Sequence, residues 1–146
     1  MFYTRIRMKL KKSENFENAL PLDYSIEDAI EKALLQTTLL IQTTARSSWY
    51  APYKTWTLRK SITSDLSQLK KWTTVVWSDV KYANIQEVWW DIKAKNKPYL
   101  HFKINWKWVK VKKVTIKWKR YLRRAFEDNE SKILNIINKA IKKELW

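Results

Sequence analysis

The stretch SIEDAIEKALLQTTLLIQTTARS, residues 25–47, decides the fold. Ser25 and Asp28 form a capping box at its start, and Pro52 prevents a helix from continuing much beyond its end. The apolar residues recur three or four positions apart, at Ile26, Ala29, Ile30, Ala33, Leu34, Leu40, Ile41 and Ala45. This spacing predicts one amphipathic helix over 25–48, whose apolar side needs a second layer to cover it.

Short runs of β-forming residues surround this helix. Residues 2–10 alternate loosely and predict a strand, and the polar residues 13–23 predict a loop. Downstream we expect antiparallel strands, over 58–66, 73–77, 99–104 and 108–116. In the last run the apolar parity changes at Lys112-Lys113, which predicts a β-bulge. Residues 82–88 fit either a short helix or an irregular edge, and Trp89-Trp90 are placed in a loop.

Helical spacing returns over residues 119–145, with a break expected at Asp128 and Asn129. The order of elements predicts an α+β domain: an antiparallel sheet of about four to five strands, on which the long helix and a C-terminal helix pack. The length of 146 residues fits a single domain. Its parts are an N-terminal strand and loop (1–24), the helix (25–48), the strands (57–116) and the C-terminal helical segment (119–145).

Composition excludes several kinds of site. The chain has no cysteine and one histidine, His101, so disulfides, thiolate metal sites and histidine-rich zinc sites are excluded. His101 lies in a predicted strand and is better explained as structural than as a general base. We therefore predict no catalytic residue, no metal, no cofactor and no enzymatic activity. The longest apolar runs span a few residues, which predicts no membrane association and no export.

Two residue counts are unusual: the chain has ten tryptophans and no glycine. At an average usage of about 7%, a chain of this length carries roughly ten glycines. Asn105-Trp106 lies between two predicted strands, where a type I′ hairpin turn needs a positive φ and normally takes glycine. Trp72 also lies at a predicted turn, and Trp49 at a helix end that favours glycine. Trp108 alone fits a strand naturally.

We hypothesise that most of these tryptophans stand where the functional protein has glycine. A genome that decodes UGA as glycine, translated with UGA as tryptophan, produces this substitution. The Lys-, Ile- and Asn-rich composition fits an AT-rich genome of that kind. The alternative is a protein with ten genuine tryptophans, some of them on a binding surface.

A segment of twelve residues that follows the long helix resembles a known family. Residues 51–62, APYKTWTLRKSI, resemble the Ala-Pro-x-x-Thr-Gly-x-Leu-Arg-x-Ser-Ile signature of a tailed-phage family of neck, tail-completion or minor tail-component proteins. The matching positions are Ala51, Pro52, Thr55, Leu58, Arg59, Ser61 and Ile62, and Trp56 stands at the family's glycine. The first helix, which leads into Ala51-Pro52, also matches.

Two further segments resemble the same family in the expected order. Tyr82-Ala83 and Glu87 match a Tyr-Ala pair and a Glu-Phe-Gly that follows it, with Trp77 and Trp89 at family glycines. Residues 118–125, WKRYLRRA, resemble a Gly-x-x-Phe-Leu-x-x-Ala segment. The resemblance covers about residues 25–143.

The resemblance implies a virion structural protein of the head–tail joining region, in a phage or prophage. It implies assembly into a ring of identical copies, contacts with other neck and tail proteins, and location in the virion after assembly in the host cytoplasm. The motif residues fit a helix-to-strand connection, which gives them a structural or an assembly role.

A basic segment adds a possible second partner. Residues 92–126 contain thirteen Lys or Arg and no acid, and the densest part comprises Lys107, Lys110, Lys112, Lys113, Lys117, Lys119, Arg120, Arg123 and Arg124. Lysines that alternate along a strand share one face, and such a stripe is typical of non-specific contact with DNA phosphates. The alternatives are a solvated face, or a basic, sequence-independent nucleic-acid-binding domain unrelated to virions.

Overall fold

The computed structural model describes residues 4–10, 24–47, 56–88, 90–117 and 119–145. The predicted loop over 13–23 lies outside these ranges, as do the motif residues Ala51, Pro52 and Thr55. The side chains of Tyr24 and Trp90 are likewise not described.

Helices and strands alternate along the chain in an order that confirms the α+β class. The helices are α1 (Tyr24–Arg46), α2 (Trp56–Ser61), α3 (Ala83–Glu87), α4 (Tyr121–Glu127) and α5 (Glu130–Leu145). The strands are β1 (Thr4–Lys9), β2 (Thr63–Asp65), β3 (Thr73–Ser78), β4 (Trp90–Lys93), β5 (Leu100–Ile104), β6 (Lys107–Val111) and β7 (Lys113–Ile116). A 3₁₀ turn, Leu69–Lys71, precedes β3.

The long helix α1 is the centre of the molecule, as its pattern predicts. It begins at Tyr24, so Ser25 lies in its first turn and the capping box predicted there is wrong. The helix packs against β3 on one side and against α4 and α5 on another. Two threonines on the buried side are fully enclosed: the Thr37 hydroxyl donates to the Leu34 carbonyl, and the Thr38 hydroxyl reaches Thr74 on β3 at 2.7 Å. Because buried hydroxyls are costly unless they are hydrogen-bonded, these bonds make the polar helix–sheet contact tolerable.

The strands form three antiparallel sheets rather than the single sheet that the sequence predicts. One sheet has three strands in the order β1–β3–β2, and two ribbons pair β4 with β7 and β5 with β6. Within the described ranges, the long helix packs on the three-stranded sheet, through β2 and β3. The ribbons are separate because β4 pairs with β7 and β5 pairs with β6, without a ladder that joins either pair to the described strands of the larger sheet.

The strand predicted over 58–66 is wrong in its first half. Residues Trp56–Ser61 form helix α2, and the strand is confined to Thr63–Asp65. Leu58 and Ile62 are four positions apart and both fully buried. Leu58 lies in α2 and Ile62 directly follows it, and both pack in the main core, so tertiary burial outweighs the local preference for a strand.

The bulge predicted at Lys112-Lys113 is also wrong, although the position is informative. β6 ends at Val111, β7 begins at Lys113, and the two strands pair with different partners. The parity changes because the chain leaves one ribbon and enters the other. The loop predicted at Trp89-Trp90 is corrected as well, since Trp90 begins β4; the alternation of residues 90–93, WDIK, is the period-2 signal for that strand.

The main core joins both ends of the chain. Its buried members come from every layer: Met8, Ile41, Ala45, Leu58, Ile62, Val76, Ala83, Tyr121, Leu122, Ala125 and Ile133. A smaller cluster lies toward the start of α1 and contains Ile26, Ile30, Leu34 and Trp72. The predicted break at Asp128 and Asn129 is confirmed, and Asn129 is buried there with its amide donating to the Ala125 carbonyl at 2.8 Å.

Candidate functional site

The first motif segment docks α2 against the end of α1. The Arg59 guanidinium donates to the Arg46 carbonyl at 2.6 Å, close to the last carbonyls of α1. In return, the Arg46 guanidinium and the Gln42 amide both donate to the Ile62 carbonyl. Cations near a helix C-terminus satisfy its free carbonyls and complement the helix dipole. The motif therefore closes the α1–α2 connection through its charged residues as well as its buried ones.

The second motif segment holds the start of α4. One oxygen of the Glu87 carboxylate accepts from the Leu122 N–H at 3.1 Å and the other from the Arg123 N–H at 3.0 Å. The neighbouring Gln86 carbonyl accepts from the Lys119 N–H at 2.7 Å. Burial raises the pKa of Glu87, and the two backbone N–H groups oppose that shift. Glu87 thus acts as a helix cap supplied from a distant part of the chain.

The third motif segment contributes three fully buried side chains, Tyr121, Leu122 and Ala125. They join Leu58, Ile62 and Ala83 in the main core, with Tyr82 packed against it. The Ser61 and Ser78 hydroxyls lie 2.7 Å apart beside this contact. Three segments separated by tens of residues therefore meet in one place, which we call the motif cluster: Leu58, Arg59, Ser61, Ile62, Tyr82, Ala83, Glu87, Tyr121, Leu122 and Ala125.

An arm, residues 90–117, leaves the motif cluster between α3 and α4. Its stem ribbon pairs β4 with β7, and its tip ribbon pairs β5 with β6. Among the described residues, neither ribbon makes an extensive contact with the core. The arm contains nine lysines and one acid, Asp91, which accepts from Lys113 at 3.1 Å and from Thr115 at 2.7 Å. The arm is therefore a strongly cationic projection that the motif cluster anchors.

The two faces of the tip ribbon differ in chemistry. Paired residues share a face, so the register places Leu100 beside Val111, Phe102 beside Val109 and Ile104 beside Lys107 on one side. On the other side His101 is opposite Lys110, and Lys103 is opposite Trp108. The first side is apolar and half-buried, apart from exposed Ile104 and Lys107, whereas the second side is exposed. We call these the apolar face and the basic face.

The structure divides the predicted basic stripe. Lys110 lies on the basic face, exposed Lys112 follows the tip ribbon, and Lys107 lies at the tip on the opposite face. Lys113 is opposite Lys93 in the stem ribbon. Lys117 and Lys119 are exposed near the root of the arm.

Two arginines of the stripe form ion pairs at the protein surface. Arg120 and Arg123 pair with Glu127 at 3.0 and 3.2 Å on α4, and Arg124 is an exposed residue of the same helix. Lys103 lies on the basic face outside the densest predicted group, and the strand alternation through 99–103 is the signal that identifies it.

Backbone angles confirm the turn argument at two tryptophans. Asn105 and Trp106 have φ of 48° and 67°, the pair of positive values that a type I′ turn requires, and Trp72 has φ of 53°. The Trp106 ring is 93% exposed, whereas the Trp72 ring is buried against α1. Among the tryptophans that the structure describes, Trp106 is therefore the one at which backbone and burial both favour glycine.

The other described tryptophans occupy regular positions. Trp56 begins α2 and is exposed, with the Arg59 guanidinium 5.3 Å from its ring centre. Trp77 lies within β3 and is half-buried. Trp108, the one residue that the sequence favours as a genuine tryptophan, is exposed on the basic face beneath Lys103. Trp49, Trp89 and Trp118 lie outside the described residues.

The part of the chain that the structure describes contains neither a metal-ligand cluster nor a membrane-spanning helix. Among the described residues, no group of three or more His, Cys, Asp or Glu is arranged to hold a metal ion. In the same ranges, no helix is long and apolar enough to span a bilayer. No family model, curated protein or solved structure matches the chain.

Proposed function

We propose that this chain is a structural protein of the head–tail joining region of a tailed phage or prophage, acting by assembly rather than by chemistry. The observation that carries the proposal is the motif cluster. The segments that resemble the phage family are separated in sequence, yet they pack together at the root of the arm. A shared role of the three segments in shaping one structural unit predicts this convergence.

Assembly into a ring requires two unlike faces on each subunit. The apolar face of the tip ribbon supplies one of them. An isolated two-stranded ribbon is at best marginally stable in water, so this ribbon gains from a partner that covers its apolar face. We assign that partner to the neighbouring copy in the ring, with other neck and tail proteins contacting the ring from either end.

The assembly proposal is tested by sedimentation velocity and negative-stain microscopy over a concentration series. Ile104→Gln, on the apolar face, is compared with Leu134→Gln on α5, because the two side chains are 51% and 54% exposed. We expect closed rings that Ile104→Gln weakens and Leu134→Gln leaves intact. Monomers at every concentration, or equal loss in both variants, would count against the ring.

The alternative function is a basic, sequence-independent nucleic-acid-binding domain that has no connection with virions. The cationic arm favours this alternative, since residues 90–117 contain nine lysines and one acid. Neighbouring genes discriminate between the two functions. Portal, capsid and tail genes beside this gene support the phage assignment, whereas isolation among host genes supports the alternative.

A further inference from the structure

The basic face of the tip ribbon is organised beyond its charge. The Lys103 ammonium lies 4.8 Å from the centre of the Trp108 ring, and the Lys110 ammonium lies 4.4 Å from the centre of the Tyr99 ring. Cation–π contacts of this kind hold a flexible lysine over an aromatic surface. Two ammonium groups are therefore fixed on the same exposed face before any partner arrives.

Charge complementarity selects a polyanion as the partner of this face. The chain carries 30 Lys and Arg against 14 Asp and Glu, a net charge of +16. The single acid of the arm, Asp91, already accepts from Lys113 and Thr115. A second copy of so basic a chain is a poor match for the basic face, because like charges that meet at an interface are costly.

Shape selects duplex DNA among the polyanions. The major groove of B-DNA admits a two-stranded β-ribbon, whereas the deep, narrow major groove of A-form RNA does not admit protein side chains. Single strands are usually bound by open aromatic rings on which bases stack. On this face both rings already carry a lysine, which favours phosphate contact over base stacking.

We propose that the tip ribbon lies in the major groove of duplex DNA and that Lys103, Lys110 and Lys112 contact its phosphates without reading sequence. In the setting of a neck ring this inference rests on the proposed function: the basic face of a copy meets the DNA while its apolar face contacts the neighbouring copy. Lysine suits this role, since its ammonium is a point charge without the planar fork that favours base recognition.

The test is fluorescence anisotropy with two labelled duplexes of unrelated sequence, in 50 to 200 mM salt. The arm variant carries Lys103→Gln, Lys110→Gln and Lys112→Gln. The matched control removes the same charge from exposed lysines of α5, through Lys132→Gln, Lys139→Gln and Lys142→Gln. Circular dichroism and urea unfolding confirm that both variants fold.

We expect equal affinity for the two duplexes and weaker binding to a single strand. Each lost phosphate contact reduces the magnitude of the negative slope of log affinity against log salt by about 0.9. The slope of the arm variant is therefore shallower by roughly 2.7. The slope of the control changes much less. Absence of duplex binding at 50 mM salt would overturn the proposal, as would equal losses in the two variants or a preference for the single strand.

Binding to anionic lipid vesicles in place of DNA would also overturn it, since the partner would then be a membrane. These results are separable from the assembly test. If rings form and the arm variant binds DNA as well as the parent chain does, the DNA inference is wrong and the assembly function stands. If DNA binds through the arm and no rings form, the assembly function is wrong and the DNA inference stands.

Discussion

At the scale of single residues, Trp106 is the position where the written sequence and the backbone disagree most clearly. A positive φ places the Cβ of an ordinary residue close to its own backbone, at a cost of roughly 1–2 kcal/mol. Glycine avoids that cost and loses about 0.5–1 kcal/mol through its greater freedom when unfolded. The exposed ring of Trp106 offers little burial to offset the difference.

We therefore expect Trp106→Gly to stabilise the protein by roughly 0.5–1 kcal/mol in urea unfolding. Trp72→Gly is the contrasting variant, because the same relief of backbone cost is set against loss of a buried ring worth about 3–5 kcal/mol. We expect Trp72→Gly to destabilise. Destabilisation by Trp106→Gly would show that the ring has a role that its exposure conceals.

The glycine hypothesis has its own direct test in the mass of the native protein. We propose that UGA is decoded as glycine where this chain is made, so peptides from its natural source should be lighter than the written sequence at tryptophan positions. Peptide mass spectrometry covering residues 104–107 decides the matter for the tip turn. A native peptide with the mass of tryptophan at position 106 would end the hypothesis there.

At the scale of elements, α2 shows that a motif can locate a connection between two elements without showing whether that connection is a helix or a strand. The spacing of Leu58 and Ile62 fits a strand end or a helix face, and the sequence alone does not show that α1 and α4 enclose both side chains. Similarly, the parity change at Lys112 locates a break correctly but cannot show that the chain changes partner there. Local sequence patterns locate where an element begins or ends. Contacts between distant parts of the chain decide whether that element is a helix or a strand and which strand it pairs with.

Leu58 should be indispensable to the docking of α2. It is fully buried in the main core, so Leu58→Ala removes apolar contacts and leaves a cavity. We expect a loss of about 2–5 kcal/mol in urea unfolding. Leu39→Ala on the exposed side of α1 is the control, with a change within about 0.5 kcal/mol. Equal small effects would mean that α2 contributes little to the fold.

Glu87 connects the motif cluster to acid stability. Because burial raises its pKa, the ionised carboxylate is less favourable in the folded than in the unfolded protein. Stability from this group is therefore present at low pH and declines as pH rises from the ordinary carboxyl pKa to the raised one. We expect the parent chain to lose stability relative to Glu87→Gln across that interval, in urea unfolding at matched pH values.

Glu130→Gln, on the exposed start of α5, serves as the control for the Glu87 variant. It removes one carboxylate elsewhere on the surface, so it shows how much of the change comes from the loss of one negative charge alone. A parent chain that instead gains stability against Glu87→Gln as pH rises would mean that the Leu122 and Arg123 N–H groups outweigh the cost of burial.

At the scale of the whole molecule, the fold combines a conventional helix-covered sheet with an arm that makes no extensive contact with the core residues that the structure describes. The sequence predicts the class, the long helix, the C-terminal helices and the region of high positive charge. It does not predict that residues 90–117 form two separate ribbons with an apolar and a basic face at the tip, because that depends on pairing between distant strands. The arm gives the assembly proposal its geometry.

Gold labelling of tagged chains in particles from cells that carry this gene tests the head–tail joining role most directly. The tag belongs on the C-terminal helix α5, away from the arm, and electron microscopy locates the gold. We expect tailed particles labelled at the junction of head and tail. Tailed particles without label at that junction, while the chain stays in the soluble cell fraction, would contradict it.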